Sequence, residues 1–160
     1  MISQVLVDGA TGRKVVQASS VIDAPVDQVW DVVTDYAHFS EIFPGMSASS
    51  VERTQDGRRR LKAKVSLAPA PISWTFSVKI NHEKTDRVRI AEWDEPSGRV
   101  SVNRGFMRVE DLGDGHTRVV HRIDTSVMPV PSFVLRAALL ARSDEMLDAV
   151  RVRVAAVAPK

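Results

Sequence analysis

Ile22-Asp-Ala-Pro-Val-Asp-Gln-Val-Trp-Asp-Val-Val-Thr-Asp-Tyr-Ala-His-Phe-Ser-Glu-Ile-Phe-Pro-Gly-Met46 is the stretch in which independent local signals agree on one structure. Pro25 reads as a residue just inside a helix start, with Asp23 before it as a cap or near-cap. That suits a first turn whose N–H groups lack partners and whose dipole favours negative charge, and Asp27 adds to it. Val26, Val29, Trp30 and Val33 recur at helical spacing, with Asp27, Gln28, Asp31 and Thr34 on the other side, so the helix presents one apolar stripe. Tyr36, Phe39 and Phe43 then lie roughly one turn apart and predict a second short helix. Pro44-Gly45 stops it, since proline cannot continue a helix and glycine accepts a positive φ.

Working outward, Val15–Ile22 reads as a β-branched strand running into this helix pair, and residues 1–14 as either a short extra strand or a frayed arm. Beyond Gly45 the pattern changes to period two. Ser47–Arg53 and Arg58–Leu67 are predicted strands joined by an Asp56-Gly57 hairpin turn, and Ala68-Pro69-Ala70-Pro71 breaks the sheet. The clearest alternation follows, with Ile72, Trp74, Phe76, Val78 and Ile80 on one face and Ser73, Thr75, Ser77, Lys79 and Asn81 on the other. One face is thus buried and one wet, the mark of an antiparallel sheet over a single core. Strands over Arg87–Asp94, Val100–Leu112 and Thr117–Val127 complete a meander of six to seven strands with short turns. After Met128-Pro-Val-Pro131, Ser132 is the expected cap of a long helix from Phe133 to about Val157. Leu135, Leu139, Met146, Val150 and Val154 form its stripe, widened by Phe133, Leu140 and Leu147. A helix this long and one-sided requires the concave face of the sheet as its partner.

A length of 160 residues suits one domain, here 1–160, large enough for a core and a cavity. With 44% hydrophobic and 26% charged residues the composition is that of a soluble globular protein, with no run long enough for a membrane span. The N-terminus lacks the pattern of a secretory signal, so a cytoplasmic location is expected. The absence of cysteine excludes disulfides, thiolate nucleophiles and thiolate metal sites. The formal charge of +2 implies little by itself. Basic residues cluster at Arg58-Arg59-Arg60-Leu61-Lys62 and at Arg136, Arg142, Arg151 and Arg153, without the aromatic platform that a nucleic-acid site uses. They read as solvated faces, and no nucleic-acid partner is expected.

The order strand, helix pair, antiparallel meander, long C-terminal helix is the helix-grip arrangement, an α+β fold. The residues Asp23-Ala24-Pro25, Val29-Trp30, Asp35-Tyr36, Phe39 and Pro44-Gly45, at their spacing, resemble the opening signature of the START and birch-pollen-allergen-like superfamily (SRPBCC). They look most like its polyketide cyclase/dehydrase and coenzyme Q-binding branch. Gly105-Phe106-Met107-Arg108 followed by Asp114-Gly115-x-Thr117-Arg118-Val119 resembles the penultimate hairpin of that branch, with Met107 standing where a Trp is expected. The likeness spans about residues 15–157. It implies a cavity between sheet and long helix that holds an apolar or amphipathic molecule, and a role as lipid or quinone chaperone, polyketide cyclase/aromatase or ribosome-associated protein. Peripheral contact with a membrane is compatible with that class.

The candidate cavity residues are Phe39 and Phe43 near the mouth, Trp74 and Phe76 on a sheet wall, and Leu139 and Met146 on the long helix. To these, period-two counting adds His121, which alternates with Val119 and Ile123, and Met107, which a hairpin closing around Gly113–Gly115 brings opposite it. The same counting points Glu92 (after Val88 and Ile90) and Arg104 (after Val100 and Val102) inward as a pair lining a polar end. An outer-surface position for that pair, and a bulge at Gly105 that switches faces, remain the competing readings. His38, His82, His116 and His121 have no metal-ligand spacing, and neither a metal nor a cofactor is expected. No nucleophile elbow or phosphate loop appears. Three functions follow as alternatives. The first is a non-enzymatic carrier of a lipid, quinone or polyketide-like molecule. The second is a cyclase/aromatase using His121, Glu92 and Arg104, and the third is a protein- or ribosome-binding module using the Arg58–Lys62 ridge.

Overall fold

The structure, a computed structural model, describes residues 2–157 apart from 44, 68 and 70; of residues 47–49 the backbone alone is described. Pro44 of the predicted stop, and Ala68 and Ala70 of the predicted sheet break, lie outside the described residues.

Eight strands form one antiparallel sheet: β1 (Ile2–Val7), β2 (Lys14–Ile22), β3 (Met46–Arg53), β4 (Arg59–Ser66), β5 (Ser73–Lys84), β6 (Val88–Asp94), β7 (Val100–Gly113) and β8 (His116–Val127). Their order across the sheet is β1-β2-β8-β7-β6-β5-β4-β3. The N-terminal arm is therefore a strand, one more than the sequence pattern counts, paired with β2 from Ile2↔Ser19 to Val7↔Lys14.

The topology gives the helix pair its place. β2 pairs with the last strand, β8, whereas β3 is the far edge of the sheet. The chain between them must cross from one side to the other, and α1 (Val26–Val33), a 3-10 turn (Tyr36–His38) and α2 (Phe39–Ile42) make that crossing. Val29, Trp30, Val32 and Val33 are buried by it. Pro25 stands at the N-cap position of α1 with no side-chain capping bond, so Asp23 supplies no cap. Gly45, at φ +83°, turns the chain into β3, and its carbonyl accepts the Ser66 N–H at 2.8 Å. A Cβ at Gly45 would collide with the Ser66 carbonyl oxygen, so glycine is required there for space as well as for backbone conformation.

The long helix α3 (Ser132–Ala156) packs on β2, β1 and β8 and against α1 and α2. Leu135, Met146, Leu147, Val150 and Val154 are buried. Phe133 is not: it is 69% exposed, because it lies about 200° around the helix from Leu135. Pro131, not Ser132, occupies the N-cap, and no side chain caps this helix. The main core joins Val29, Trp30, Val33 and Tyr36 to Val109 and Val119 of the sheet and Leu147 and Val150 of α3. A second cluster of Leu67, Trp74, Val100, Val127 and Leu135 closes the other end. No helix among the described residues is long and apolar enough to cross a membrane.

Candidate functional site

Between the two clusters lies a cavity with a volume of about 150 Å³. Its walls come from Val33, Tyr36, Phe39 and Phe43 of the crossing segment, Leu139, Arg142, Ser143 and Met146 of α3, inward side chains of β4 to β8, and Met46 and Leu67 beside them. Of the ten residues singled out from sequence, eight line it: Phe39, Phe43, Trp74, Phe76, Met107, His121, Leu139 and Met146. Phe39 is 7% exposed and belongs to the main core, whereas Phe43 packs on it as a partly buried residue.

Glu92 and Arg104 are elsewhere. Both lie on the outer face of the sheet, in a polar groove with Asp124 and Arg122. Arg104 Nε donates to Asp124 Oδ2 at 3.1 Å, and Glu92 Oε1 accepts from Asn81 Nδ2 at 3.4 Å. Asp124 also holds Arg13, at 2.8 Å. Burial alone would raise the Asp124 pKa, but the two guanidiniums hold it below its ordinary value. The reason for the inversion is local. The β7–β8 register shifts between Val100 and Val102, inserting a residue that turns Asn103 inward and Arg104 outward. The irregularity therefore sits at the start of β7 and not at Gly105. On β6, the half-buried Val88 and Ile90 are outer-face residues, and the inward set is Arg89, Ala91 and Trp93.

Trp93 is a wall residue that the alternation concealed. Its Nε1–H donates to Asn103 Oδ1 at 3.1 Å, which fixes the orientation of that amide and leaves the NH₂ group without an acceptor among the described residues. Gly105 lies directly opposite Trp93. There glycine serves close approach: a Cβ would stand 3.0 Å from Trp93 Cζ2 and collide with the Arg122 carbonyl oxygen.

An inward-facing row crosses four strands, and three of its members, Ala91, Met107 and His121, line the cavity. His82 pairs with Ala91, Ala91 with Met107, and Met107 with His121, so one side chain from each of β5, β6, β7 and β8 aligns on the inward face. His121 is 9% exposed, lines the cavity and forms no hydrogen bond among the described residues. Phe43 and Trp93 flank it, each with ring centroids 6.1 Å away. Burial pushes its pKa down to about 4, so at neutral pH the ring offers the cavity one N–H donor and one nitrogen acceptor.

At the other end of the row, His82 Nε2 lies 2.6 Å from Tyr36 Oη and His82 Nδ1 lies 3.2 Å from Arg59 Nη1. Trp30 meets the imidazole edge-to-face at 5.1 Å. Burial, then the charges of Arg59 and Lys84, push the His82 pKa down to about 4. Burial raises the Tyr36 phenol, partly offset by Arg59. Both members were legible as extensions of a visible pattern. His82 continues Trp74, Phe76, Val78 and Ile80 by two, and Arg59 precedes Leu61, Ala63 and Val65 by two. Arg59 therefore does not belong to an outward basic ridge, and within that segment Arg60 pairs with Glu95 at 2.6 Å and Lys62 with Glu52 at 3.5 Å. His38 and His116 are surface residues beside Asp35 and Asp23. Among the described residues no group of three His, Asp or Glu side chains is placed to hold a metal ion.

This arrangement suits holding an apolar molecule and giving it a few polar contacts. Three comparisons bear on it. No curated protein sequence matches the chain. Solved structures match in fold. The STAR-related lipid transfer protein from Xanthomonas axonopodis is 16% identical, with a TM-score of 0.78 over 94% of this chain and 91% of that one. Human StAR-related lipid transfer protein 5 is 10% identical, with a TM-score of 0.82 over 96% and 81%. The Zhui aromatase/cyclase from Streptomyces sp. R1128 is 20% identical, with a TM-score of 0.72 over 88% and 93%. At such identities the likeness shows the helix-grip fold alone. The family described as polyketide cyclase / dehydrase and lipid transport matches residues 22–151, from the end of β2 to the last turns of α3, and the chain belongs to that family.

Proposed function

We propose that the protein binds and carries a compact hydrophobic or amphipathic molecule in the cavity between sheet and α3. The observation that carries this reading is the wall itself, an almost wholly apolar enclosure in which His121 has no hydrogen-bond partner among the described residues. A filled core would not leave a buried imidazole without a partner, because an unsatisfied buried polar group costs about 1–3 kcal/mol. About 150 Å³ of cavity is the size that takes a single aromatic ring in an apolar protein interior. The ring of a quinone or of a polyketide-like compound suits that volume better than a long acyl chain, with any tail leaving past Phe43 at the mouth.

The cyclase/aromatase alternative needs several polar groups converging on the ligand. Of its three sequence-derived candidates, Glu92 and Arg104 lie outside the cavity and His121 is left as the one acid/base group of that set within it. This supports binding over catalysis.

Native mass spectrometry of the purified full-length protein, as isolated and after incubation with small aromatic compounds, tests the proposal. Retention of one apolar molecule per chain is expected. Absence of uptake across single-ring and two-ring compounds would overturn it.

A further inference from the structure

The Arg59–His82–Tyr36 chain has a directionality that carriage of an apolar molecule does not by itself require. A guanidinium only donates hydrogen bonds, so Arg59 Nη1, 3.2 Å from His82 Nδ1, obliges that nitrogen to accept. The neutral imidazole then carries its single proton on Nε2, which donates to Tyr36 Oη at 2.6 Å. Tyr36 thus receives a hydrogen bond and keeps its own O–H hydrogen to give. No other hydrogen bond to this hydroxyl forms among the described residues, although Tyr36 is only 4% exposed and lines the cavity. Water-poor surroundings leave such a donor costly until an acceptor reaches it. The positive charges of Arg59 and Lys84 stand behind the imidazole, so the potential at this end favours an electron-rich oxygen and disfavours an ammonium group.

We propose that Tyr36 Oη is the ligand-contacting donor of the cavity, held by His82 and Arg59 as positioning residues, and that it selects a ring compound bearing a carbonyl oxygen over the same skeleton without one. The proposal rests on the cavity being a ligand site. It adds to that reading the polarity the ligand must have and the end of the cavity at which its oxygen lies. In this arrangement His121, at the opposite end of the four-strand row, meets whatever second polar group the ligand carries.

Acetophenone and ethylbenzene share a skeleton and differ at the carbonyl. Their affinities for the full-length protein, measured by calorimetry, should give an acetophenone-to-ethylbenzene ratio that falls about five- to tenfold in Tyr36→Phe, the loss of one neutral hydrogen bond. The carbonyl stretch of bound acetophenone should lie below its value in an apolar solvent in the wild type and return to that value in Tyr36→Phe. His82→Leu should lose the shift, and His82→Gln, whose amide brings an N–H toward the Nε2 position, should retain it; these two variants carry the test if Tyr36→Phe fails to fold. An unchanged ratio and an unchanged stretch would overturn the assignment of Tyr36 while leaving ethylbenzene binding, and so the carrier reading, in place. Failure of the wild type to bind either compound would overturn both.

Discussion

Trp93 and Gly105 face each other across β6 and β7, and a side chain at position 105 would strike the Arg122 carbonyl oxygen and crowd the edge of the indole. Gly105→Ala is therefore expected to destabilise by about 2 kcal/mol or more, since both the Arg122 carbonyl and the Trp93 ring would have to move. Urea unfolding of the variant is the measurement. Trp93→Phe removes the ring edge but not the Arg122 carbonyl, so it should relieve only a small part of the cost of Gly105→Ala, read as weak coupling in a double-mutant cycle.

Trp30 is 5% exposed, lies in the main core and meets His82 edge-on. Trp30→Ala should cost roughly 3–5 kcal/mol, read from the shift in the unfolding midpoint. A loss below 1 kcal/mol would mean that α1 is not held by this contact.

Phe39 and Phe43 belong to one aromatic wall, 4.6 Å apart between ring centroids, yet they differ in burial. Phe39→Ala should cost about 3–5 kcal/mol as a core truncation. Phe43→Ala, removing a partly buried ring that also flanks His121, should cost only about 1–2 kcal/mol while weakening ligand uptake. Equal losses of stability in the two variants would remove this distinction.

Stability should depend on pH through His121. Its folded pKa is depressed to about 4, whereas an unfolded histidine titrates near 6.5, so between those values the unfolded chain binds the extra proton. Stability is thus fully present above about pH 6.5 and is lost as pH falls toward 4, by on the order of 3 kcal/mol for this group. His82, also depressed to about 4, acts in the same direction with a smaller effect because it is only partly buried and solvent screens it. Thermal melts between pH 7.5 and 4 should show this slope, and His121→Phe should flatten it.

Ala91, 2% exposed, stands in the four-strand row between His82 and Met107. Ala91→Phe should fill the cavity and reduce uptake of single-ring compounds more than tenfold, with a change in stability within about 1–3 kcal/mol in either direction as added packing opposes added strain. Uptake equal to that of the wild type would place the bound molecule elsewhere.

Much of this architecture was written in periodicities. The β5 alternation from Trp74 to Ile80, the capless but one-sided stripe of α1, and the apolar seam of α3 each specify which face is inward, and burial rewards that choice at every second or fourth residue. Period two failed where the backbone departs from it. The extra residue at the start of β7 is invisible in the sequence because Val100 and Val102 are both β-branched, and it moved Arg104 to the outer face while bringing Asn103 inward. On β6 both faces carry apolar residues, so counting from Val88 selected Glu92 in place of Trp93. Tyr36 with His82 and Arg59 illustrates another limit. Each residue lies on a readable face, but their meeting depends on how the crossing segment settles over β4 and β5, which spacing within any one element does not encode.

The side chains of His82, Ala91, Met107 and His121 take no part in the backbone ladder that holds their four strands together. Contour and polarity of the chamber are consequently separable from the framework. Each side chain sits on its own strand, and exchanges at Ala91, Met107 and His121 would alter the cavity wall directly. A framework held by main-chain pairing tolerates wide divergence of the side chains it carries, in keeping with chains as little as 10% identical sharing one shape at a TM-score of 0.82.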